Sequence, residues 1–591
     1  MKTMYTFIAS LLLFSFSTSV NAQEGKPLPK GFAKGEEALI PEYNASRAAR
    51  SGDCEDGAPD GPVRTMAEWE ELQGLAITWT GSFNSIQSQI VAAAQQECEV
   101  FIICSNENIV KNQLGSNGVD WSNNVTFIED EFNSIWIRDF GPNTVYLNDV
   151  EELAFVDWIY NRPRPKDDAV PEVISEVLDI PIYCTTEEPT DVVHTGGNFM
   201  SDGLGTGFSS ELVLDENDAS NQWGVSNHSE EELDQIMEDF MGLTVYPKME
   251  NLPFDLIHHI DMHMKLLDET TILVGEYPTG VADGPQIEAN IQYILSNYTN
   301  AYGEPYRIIR IPMPPENGVY PNSGADYRTY SNAVFVNKTI LVPTYEQQFD
   351  EVALGIWEEA MPGYNVVGIN SNAIIPLSGA IHCITKEIGV DEPLWISHHA
   401  LSDQPANASN DYLVETQIKH KSGISSATMH YKTDLTADYT AVTLSDSGND
   451  NWTASIPNQA NGTRVYYYIA AEAVDGKSQV RPMPAPEGYF TFQVGQSVST
   501  NEVELGNIEM EAVFPNPASA MTCIPVNSPV RSQATIILTD VLGRNVSVLF
   551  DGELPVGESK YFFNASDLNS GTYFIELKTE FGSKIQNVVV K

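Results

Sequence analysis

The pattern of secondary structure that the sequence predicts changes abruptly near residue 405. Before that point, short apolar runs alternate with segments of helical spacing, as in Gly74–Trp79, Ser85–Gln96 and Val100–Cys104. Such alternation of strands and helices is typical of an α/β domain. After residue 405 the long helical patterns stop, and short strands separated by polar turns follow. A chain of 591 residues is too long for one core, so we expect an α/β unit followed by all-β units.

Local signals place further elements in the α/β unit, which we assign to residues 61–405. Ser229 and Glu232 form a capping box, which predicts a helix that ends near Gly242. Periodicity also predicts the strands Thr271–Val274, Arg307–Ile311 and Ala333–Pro343, and the helices Ile287–Tyr298 and Phe349–Ala360.

The first 22 residues are typical of a secretory signal peptide. Lys2 is basic, Ile8–Phe16 is apolar, and Val20–Ala22 offers small residues for cleavage. Residues 23–60 are rich in Gly, Pro, Ala and charge without periodicity, which predicts a flexible leader or propeptide. No later stretch is long and apolar enough to span a membrane.

The second half of the chain divides into two β-rich units. Residues 406–496 contain runs such as Ala427–Lys432 and Thr463–Val474, which predict an immunoglobulin-like β-sandwich. Residues 497–508 are predicted to be a linker, and residues 509–591 form a third unit without candidate catalytic residues.

The charge balance of the chain is strongly acidic, with 82 Asp and Glu against 31 Lys and Arg. This argues against nucleic acids and anionic membrane surfaces as partners. It favours a cationic substrate, although an acidic surface also simply confers solubility.

Six cysteines are too few for a disulfide scaffold in a chain of this length, and they contain no C-x-x-C pair that would indicate structural zinc. One disulfide is compatible with the sequence, either Cys98–Cys104 or one that uses Cys54.

One cysteine lies in a context that favours chemistry. Cys383 stands in LSGAIHCITKE, after the small residues Ser378 and Gly379, which let a ligand approach closely. Taken alone, a free Cys is more often a packed core residue than a nucleophile. Three further stretches supply the His and carboxylates that a nucleophilic thiol needs: SIWIRDFGPNTV at Ser134–Val145, HTGGNFMSDG at His194–Gly203, and HHIDMHMK at His258–Lys265.

These stretches, in this order, resemble the guanidino-modifying deiminases, a superfamily that includes agmatine deiminases and secreted bacterial peptidylarginine deiminases. The matching motifs are W-x-R-D-x-G-P at Trp136–Pro142, G-G-N at Gly196–Asn198, H-x-D at His259–Asp261 and I-H-C-I-T at Ile381–Thr385. The resemblance covers about residues 60 to 400. It implies a five-fold pseudosymmetric α/β propeller with the site on its central axis.

The C-terminal unit carries a second resemblance. The segments FPNPAS at Phe514–Ser519, ILTDVLGRNV at Ile537–Val546 and the final Leu568–Lys591 are similar to the sorting domain of type IX secretion cargo. This implies handling by the type IX secretion machinery, with release from the cell or attachment at the outer-membrane surface.

The resemblance to deiminases implies a role for each part of the site. Cys383 would attack the guanidinium carbon and form a thiouronium intermediate, which water hydrolyses. His259 would act as general acid and base, with His258 and His382 as rivals by composition. Asp139 and Asp261 would clamp the planar cation, and Trp136 would form an apolar wall beside its stem. A structural ion pair with Arg138 is the alternative for Asp139.

Substrate choice depends on the segment YNRPRPKDD at Tyr160–Asp168. Arg162 and Arg164 match the motif that binds the carboxylate of a C-terminal arginine in the peptidylarginine deiminases, and two Arg can grip a carboxylate through charge-assisted bonds. The alternative is an ordinary basic loop paired with the acidic residues at its end. Asn332 matches a further substrate-contact position, whereas Leu256 stands where the family pattern has a tyrosine.

Two other sites are compatible with parts of the sequence. On a strand, His259, Asp261 and His263 would face one side and could ligate zinc, but a metal site would leave the Cys motif unexplained. The glycines of DGLGTGFSS precede a strand-like segment and not a helix, so we reject a phosphate-binding loop there.

The sequence therefore predicts a secreted deiminase that converts arginine, preferably at a peptide C-terminus, to citrulline and ammonia without a cofactor. Its partners would be arginine-containing peptides or proteins. An exported agmatine deiminase is the alternative enzyme, and a catalytically inactive cell-surface binding protein is the alternative from another class.

Overall fold

A computed structural model of the full chain describes residues 27–591, with gaps at 48–53, 56, 279, 406–409, 496–507, 520, 529–530, 542–543, 556 and 580–581. The predicted signal peptide, and nearly all of the predicted linker at 497–508, lie outside the described residues. The predicted α/β class is confirmed for the first unit. The described residues that follow it form sheets and contain no α-helix.

The α/β unit contains five separate sheets, and each combines an antiparallel strand pair with a parallel one. Their strands are Val63–Thr65, Asn143–Leu147, Glu152–Tyr160, Ile182–Thr185 and Val193–His194 in the first; Met200–Ser201, Gly207–Ser210 and Lys248–Met249 in the second; Met264–Asp268, Thr271–Glu276 and Arg307–Pro312 in the third; Val334–Val336, Thr339–Thr344 and Asn365–Asn370 in the fourth; and Lys386–Gly389, Leu72–Thr78, Glu99–Cys104 and Val125–Glu129 in the fifth.

Helices connect and cover these sheets. The capping box at Ser229 and Glu232 is present as predicted, and Gly242 ends its helix in the left-handed conformation. The α-helices of the unit are Asn84–Ala94, Glu107–Ser116, Ile137–Phe140, Val170–Leu178, Leu212–Asp215, Glu230–Met241, Gly284–Asn297 and Gln347–Ala360.

One predicted strand is in fact a hairpin. The segment Ala333–Pro343 forms two antiparallel strands, Val334–Val336 and Thr339–Thr344, because the chain turns at Asn337 with φ of 50°. Asn tolerates this left-handed conformation better than most residues, so a continuous apolar run concealed a tight turn.

A short irregular segment immediately precedes one strand of each sheet. These segments end beside Asn143, Met200, Met264, Val334 and Lys386, and four of them contain a single helical turn: Ile137–Phe140, Gly196–Asn198, Ile260–Met262 and His382–Ile384. Four of these segments carry predicted site residues, among them Asp139, Asp261, Asn332 and Cys383.

The second unit contains two antiparallel sheets around one apolar core, as expected for a sandwich. Its first strand begins at Trp395, before the predicted boundary at residue 406. The strands are Trp395–Ser397, Tyr412–Lys419, Asn451–Ile456 and Ser445–Gly448 in one sheet, and Thr440–Thr443, Ile424–Lys432, Arg464–Ala473, Ser478–Arg481 and Phe490–Gln493 in the other.

The third unit also contains two antiparallel sheets around a core of its own. Its strands are Glu509–Met510, Met521–Ser528 and Gly557–Asn564 in one sheet, and Ser532–Asp540, Asn545–Leu554, Gly571–Thr579 and Gly582–Val590 in the other. In the described part of the chain, no helix has both the length and the apolar character that crossing a membrane requires.

The prediction of a flexible leader is wrong for residues 27–47. This segment packs on the α/β unit, forms a 3₁₀ turn at Glu36–Leu39 and continues as the helix Ile40–Arg47. Its order depends on contacts with residues more than 100 positions away, which local periodicity does not report.

The disulfide of the chain joins Cys54 to Cys184. The prediction of a bond that uses Cys54 is confirmed, whereas the Cys98–Cys104 pairing is wrong. Both of those cysteines are free and buried.

Candidate active site

Cys383 lies in the 3₁₀ turn His382–Ile384 and has no exposed surface. Its sulfur accepts a hydrogen bond from Lys30 Nζ at 2.9 Å and lies 3.2 Å from Asn332 Nδ2 and 3.5 Å from Asp261 Oδ2. Burial, and then the charge of Asp261, raise the pKa of the thiol to about 12, against the opposing charge of Lys30.

Two carboxylates face the same ammonium group. Lys30 Nζ lies 3.7 Å from Asp139 Oδ1 and 3.7 Å from Asp261 Oδ1. Burial acts to raise the pKa of each carboxyl group, but the charge of Lys30 prevails and holds both pKa values below their ordinary value. The structure therefore brings Asp139, Asp261 and Cys383 together around one cation.

The alternative interpretation of Asp139 as the partner of Arg138 is wrong. Arg138 turns away from the site, and its Nη1 donates to Glu387 Oε1 at 2.7 Å. The two adjacent residues thus have separate partners, and Asp139 remains available to a cation in the site.

His259 stands beside the first carboxylate. Its Nδ1 lies 3.4 Å from Asp139 Oδ1, and its Nε2 lies 3.0 Å from Thr195 Oγ1. Burial, followed by the charge of Lys30, lowers the pKa of His259, although Asp139 acts in the opposite direction. This shift favours the neutral ring next to the cation, and the contacts with Asp139 and Thr195 could orient it for proton transfer.

Two glycines leave the space that the site needs. A Cβ at Gly197 would come within 2.6 Å of His259 Nδ1 and 3.0 Å of Lys30 Nζ. A Cβ at Gly379 would come within 3.1 Å of the Cys383 sulfur and 2.5 Å of Trp136 Cζ3. Any side chain at these positions would displace Cys383, Lys30 or His259.

The two histidines considered as rivals of His259 have other positions. His382 bridges two carboxylates, with Nδ1 at 2.8 Å from Asp261 Oδ2 and Nε2 at 3.0 Å from Glu68 Oε1. It therefore fixes the orientation of Asp261. His258 has a left-handed backbone, and its carbonyl accepts a hydrogen bond from Ser210.

The two arginines of Tyr160–Asp168 bind the backbone of the segment that carries Lys30. Arg162 Nε donates to the Lys30 carbonyl at 3.0 Å. Arg164 Nη2 donates to the carbonyls of Pro29 at 2.8 Å and Gly31 at 3.0 Å. Both guanidinium groups are thus aimed at polypeptide that occupies the site.

The remaining predicted residues lie in the same place. Trp136 is fully buried, and its Nε1 donates to the carbonyl of Leu28 at 3.0 Å. Asn332 contacts the Cys383 sulfur, and its carbonyl accepts from the backbone N–H of His382. Leu256, at the position where the family pattern has a tyrosine, is 83 % exposed.

The sequence predictions missed Lys30, Thr195, Glu68 and Gly197. Gly197 and Thr195 fall within the quoted HTGGNFMSDG stretch, so the motif could have indicated them. Nothing in the sequence singles out Lys30, which stands between Lys26 and Lys34 in the same short segment.

A metal site at His259, Asp261 and His263 does not form. Ile260–Met262 is a 3₁₀ turn and not a strand, so alternate residues do not share one face. Both ring nitrogens of His263 are buried without a hydrogen-bond partner. Within the described residues, the one group of side chains close enough to hold a metal is Glu392, His420 and Asp475, in and beside the second unit.

Comparison with known proteins agrees with this geometry. The family model of the Porphyromonas-type peptidyl-arginine deiminases matches residues 64–388, more than half of the chain. The secretion system C-terminal sorting domain matches residues 512–591, which confirms the predicted type IX sorting domain and indicates secretion or attachment at the cell surface.

Curated relatives and solved structures agree with the family match. Two proteins that carry the name "Putative agmatine deiminase" are similar in sequence. The protein from Vibrio parahaemolyticus is 25 % identical, and the match covers 45 % of this chain and 78 % of that protein. The protein from Lactococcus lactis is 27 % identical, and the match covers 44 % of this chain and 76 % of that protein. An X-ray structure with the same name has a TM-score of 0.50 at 21 % identity, covering 58 % of this chain and all of the other, and supports the shared fold. The chain belongs to the Porphyromonas-type peptidyl-arginine deiminase family, which, together with the agmatine deiminases, hydrolyses guanidino groups.

Proposed function

We propose that the protein hydrolyses the guanidinium group of peptide arginine to citrulline and ammonia, with a preference for arginine at a peptide C-terminus. The observation that supports this proposal is the position of the Lys30 side chain. Its side-chain cation lies between Asp139 and Asp261 and 2.9 Å from the Cys383 sulfur, while its own backbone carbonyl is held by Arg162.

Atom counting relates this lysine to an arginine. Lysine Nζ and arginine Cζ are each the fifth atom beyond Cα, so an arginine in the place of Lys30 would set its electrophilic carbon near the position of Nζ. That carbon would lie about 3 Å from the sulfur, the separation of a near-attack geometry. Its two terminal nitrogens would extend about 1.3 Å further, towards the carboxylates of Asp139 and Asp261.

The chemistry follows from this placement. With the substrate bound, the Cys383 thiol gives its proton to His259, and the thiolate adds to Cζ while the carboxylates hold the delocalised positive charge. His259 passes this proton to one nitrogen, which leaves as ammonia, and a thiouronium remains on the sulfur. His259 then takes a proton from water as hydroxide adds to the same carbon. The C–S bond breaks, the sulfur regains its proton from His259, and the hydroxyl proton of the product passes to ammonia. Arginine cation and water are thereby converted to citrulline and ammonium.

The charge of the substrate assists the nucleophile. In this structure burial and the two carboxylates raise the pKa of Cys383, and the nearby ammonium of Lys30 acts against them. A substrate guanidinium in the same place would supply the same positive charge, so thiolate formation depends on substrate binding.

The preference for a C-terminal arginine follows from Arg162. The α-carboxylate of such a substrate would stand where the Lys30 carbonyl now accepts from Arg162 Nε. A carboxylate binds a guanidinium more strongly than a carbonyl does, because the bond is charge-assisted. Agmatine has no group at this position and would leave Arg162 without a substrate partner.

The names of the relatives support agmatine deimination as a second candidate. Substrate comparison separates the two: citrulline and carbamoylputrescine formation are measured with a peptide ending in arginine, with its C-terminal amide, and with agmatine. The chain is first cut between Arg47 and Cys54, so that the segment over the site can leave.

We expect the free-acid peptide to give the highest kcat/KM, the amide about tenfold less, and agmatine least. Highest turnover of agmatine would overturn the proposed substrate. Cys383→Ala is the control in every assay, and equal product from it would overturn the mechanism. No product from any of the three substrates would favour the inactive binding protein.

We also propose that the five sheets are arranged with five-fold pseudosymmetry around the site. The support is that Asp139, Gly197, Asp261, Asn332 and Cys383 each lie two to four residues before a strand of a different sheet. A symmetric barrel-like ring would bring these five positions to one axis. Superposition of the five segments in a crystal structure tests this arrangement, and unrelated orientations would contradict it.

A further inference from the structure

Residues 27–47, called the leader below, cover the candidate active site. Lys30 and Cys383 both have no exposed surface. The Lys30 backbone N–H donates to the carbonyl of Leu377, which lies near the nucleophile in the chain. A substrate cation therefore cannot reach the sulfur until Lys30 leaves.

A second anchor of the leader uses the predicted substrate-binding arginines. Arg164 Nε donates to Glu36 Oε1 at 2.7 Å, and both side chains are buried. Phe32 lies over the Arg162 guanidinium, with 4.7 Å from its Cζ to the ring centre. The leader thus provides a carboxylate and carbonyls to the groups that we assign to substrate recognition.

A third anchor is apolar and lies at the helix Ile40–Arg47. Ile40 and Tyr43 are buried in a small core with Trp223, and Tyr43 Oη donates to the Tyr160 carbonyl at 3.1 Å. Arg47 Nη2 donates to the Trp223 carbonyl at 2.8 Å. Three separate anchors along 21 residues, Pro27 to Arg47, indicate a built interface and not an accidental contact.

The chemistry of lysine makes this occupant inert. Its ammonium supplies the positive charge that the two carboxylates require, but it has no electrophilic carbon for the thiolate to attack. Its stem places a nitrogen where an arginine would place the reacting carbon. Lys30 is therefore a substrate analogue that the site can bind and not convert.

We propose that the leader is an intramolecular inhibitor in which Lys30 mimics the substrate arginine, and that the enzyme stays inactive until the leader is removed or displaced. The inference rests on the proposed function for the identity of the substrate. The masking of Cys383 itself does not depend on which substrate the enzyme uses.

The masking is tested first, without an activity assay. A recognition sequence for a site-specific protease replaces residues 48–53 in the full chain, and the cut protein is separated from the leader by gel filtration. The rate at which iodoacetamide modifies Cys383 is followed by peptide mass spectrometry. We expect a rise on the order of a hundredfold after the leader has left, because the sulfur then faces solvent. Buried Cys98 is the internal control and should not change.

The mimicry is tested with synthetic leader peptides added to the cut protein. The peptide of residues 27–47 should bind with one site per chain and should protect Cys383 from iodoacetamide. Lys30→Ala in the peptide should weaken binding about a hundredfold, because two buried carboxylates lose their cation. The matched control is Lys34→Ala, since Lys34 is exposed and should leave the affinity unchanged.

The outcomes separate the two proposals. The inhibitor proposal fails if iodoacetamide modifies Cys383 equally fast before and after cutting. It also fails if the Lys30→Ala and Lys34→Ala peptides bind equally well. Either result would count even where the cut enzyme makes citrulline. Masking and Lys30-dependent binding with no product from any guanidino substrate would support the inhibitor and overturn the proposed reaction. Full activity of the uncut chain would overturn the inhibitor alone.

Discussion

Two neighbouring residues, Arg138 and Asp139, belong to charge clusters of different kinds. Behind the site, Arg138 binds Glu387 through paired hydrogen bonds, and Lys265 binds Glu68 in close contact. These four form the rear cluster. In the site, Asp139 and Asp261 share one ammonium at 3.7 Å each. With Lys30 they form the front cluster.

The two clusters differ in whether their carboxylates have a cation at hydrogen-bond distance. In the rear cluster, each buried carboxylate is paired with a cation of the α/β unit itself. Neither carboxylate needs a further cation from outside that unit. The front cluster has no cation of its own within the described part of that unit, and the leader supplies one at a distance longer than a hydrogen bond. A planar, wider cation would fill this space better than an ammonium does. We infer that the rear cluster supports the fold and the front cluster binds substrate.

The largest expected effect is on activity, from the front cluster. Asp139→Asn in the cut enzyme should lower kcat/KM for the free-acid peptide by about 10³-fold, because one half of the guanidinium clamp loses its charge. Thermal unfolding should change little. Asp120→Asn is the control, since Asp120 is exposed and distant from the site. A loss of less than about tenfold would show that Asp139 is not part of the clamp.

The next effect is on stability, from the rear cluster. Arg138→Met should lower the free energy of unfolding of the cut protein by about 3–5 kcal/mol, because Glu387 is left buried without a cation. Denaturant titration measures this change. Adding Glu387→Leu to the same variant should restore most of the loss. If Arg138→Met leaves stability unchanged, the contrast between the two clusters fails.

A smaller effect concerns substrate choice. Arg162→Ala should raise KM about tenfold for the free-acid peptide and by a clearly smaller factor for its amide. The acid loses a charge-assisted bond, whereas the amide loses only a hydrogen bond to its carbonyl. The value of kcat should change little for both substrates. Equal increases in KM for acid and amide would contradict a carboxylate contact at Arg162.

The smallest effect is a loss of leader affinity in acid. Burial and then Lys30 lower the pKa of His259 below its ordinary value of 6.5, so docking favours the neutral ring. The contribution of the neutral His259 ring to leader affinity is fully present above pH 6.5. It is lost as the pH falls through the pKa that His259 has while the leader is bound. We expect Kd of the leader peptide to rise by less than about tenfold between about pH 8 and 5.5. Tighter binding in acid would contradict this sign.

Much of the site could be predicted from the sequence because its chemistry is concentrated in short motifs. Cys383, His259, Asp139 and Asp261 each stand out in a local pattern. The structure brings Cys383, Asp139 and Asp261 around one cation and places His259 beside Asp139. The fold class and most helices also follow from periodicity, because apolar spacing reports which face of an element is buried.

Two errors arise from dependence on distant parts of the chain, and others arise from local patterns that fit more than one structure. Lys30 and Cys383 are separated by 353 positions, and nothing near Lys30 encodes its partner. The pairing of Cys54 with Cys184 likewise depends on the distance between Cα atoms, which spacing in the sequence does not give. The turn at Ile260–Met262 resembles a strand in the sequence because His-x-Asp-x-His alternates as a strand does.

The most direct test of the central claim is mass spectrometry of the uncut Lys30→Arg variant. The reacting carbon of the arginine introduced at this position should lie beside the Cys383 sulfur and between the carboxylates of Asp139 and Asp261. We therefore expect citrulline at position 30 in this variant, formed at a rate independent of protein concentration and absent when Cys383→Ala is added. Unmodified arginine at position 30, in a variant whose cut form deiminates peptides, would contradict the claim that Lys30 marks the substrate position.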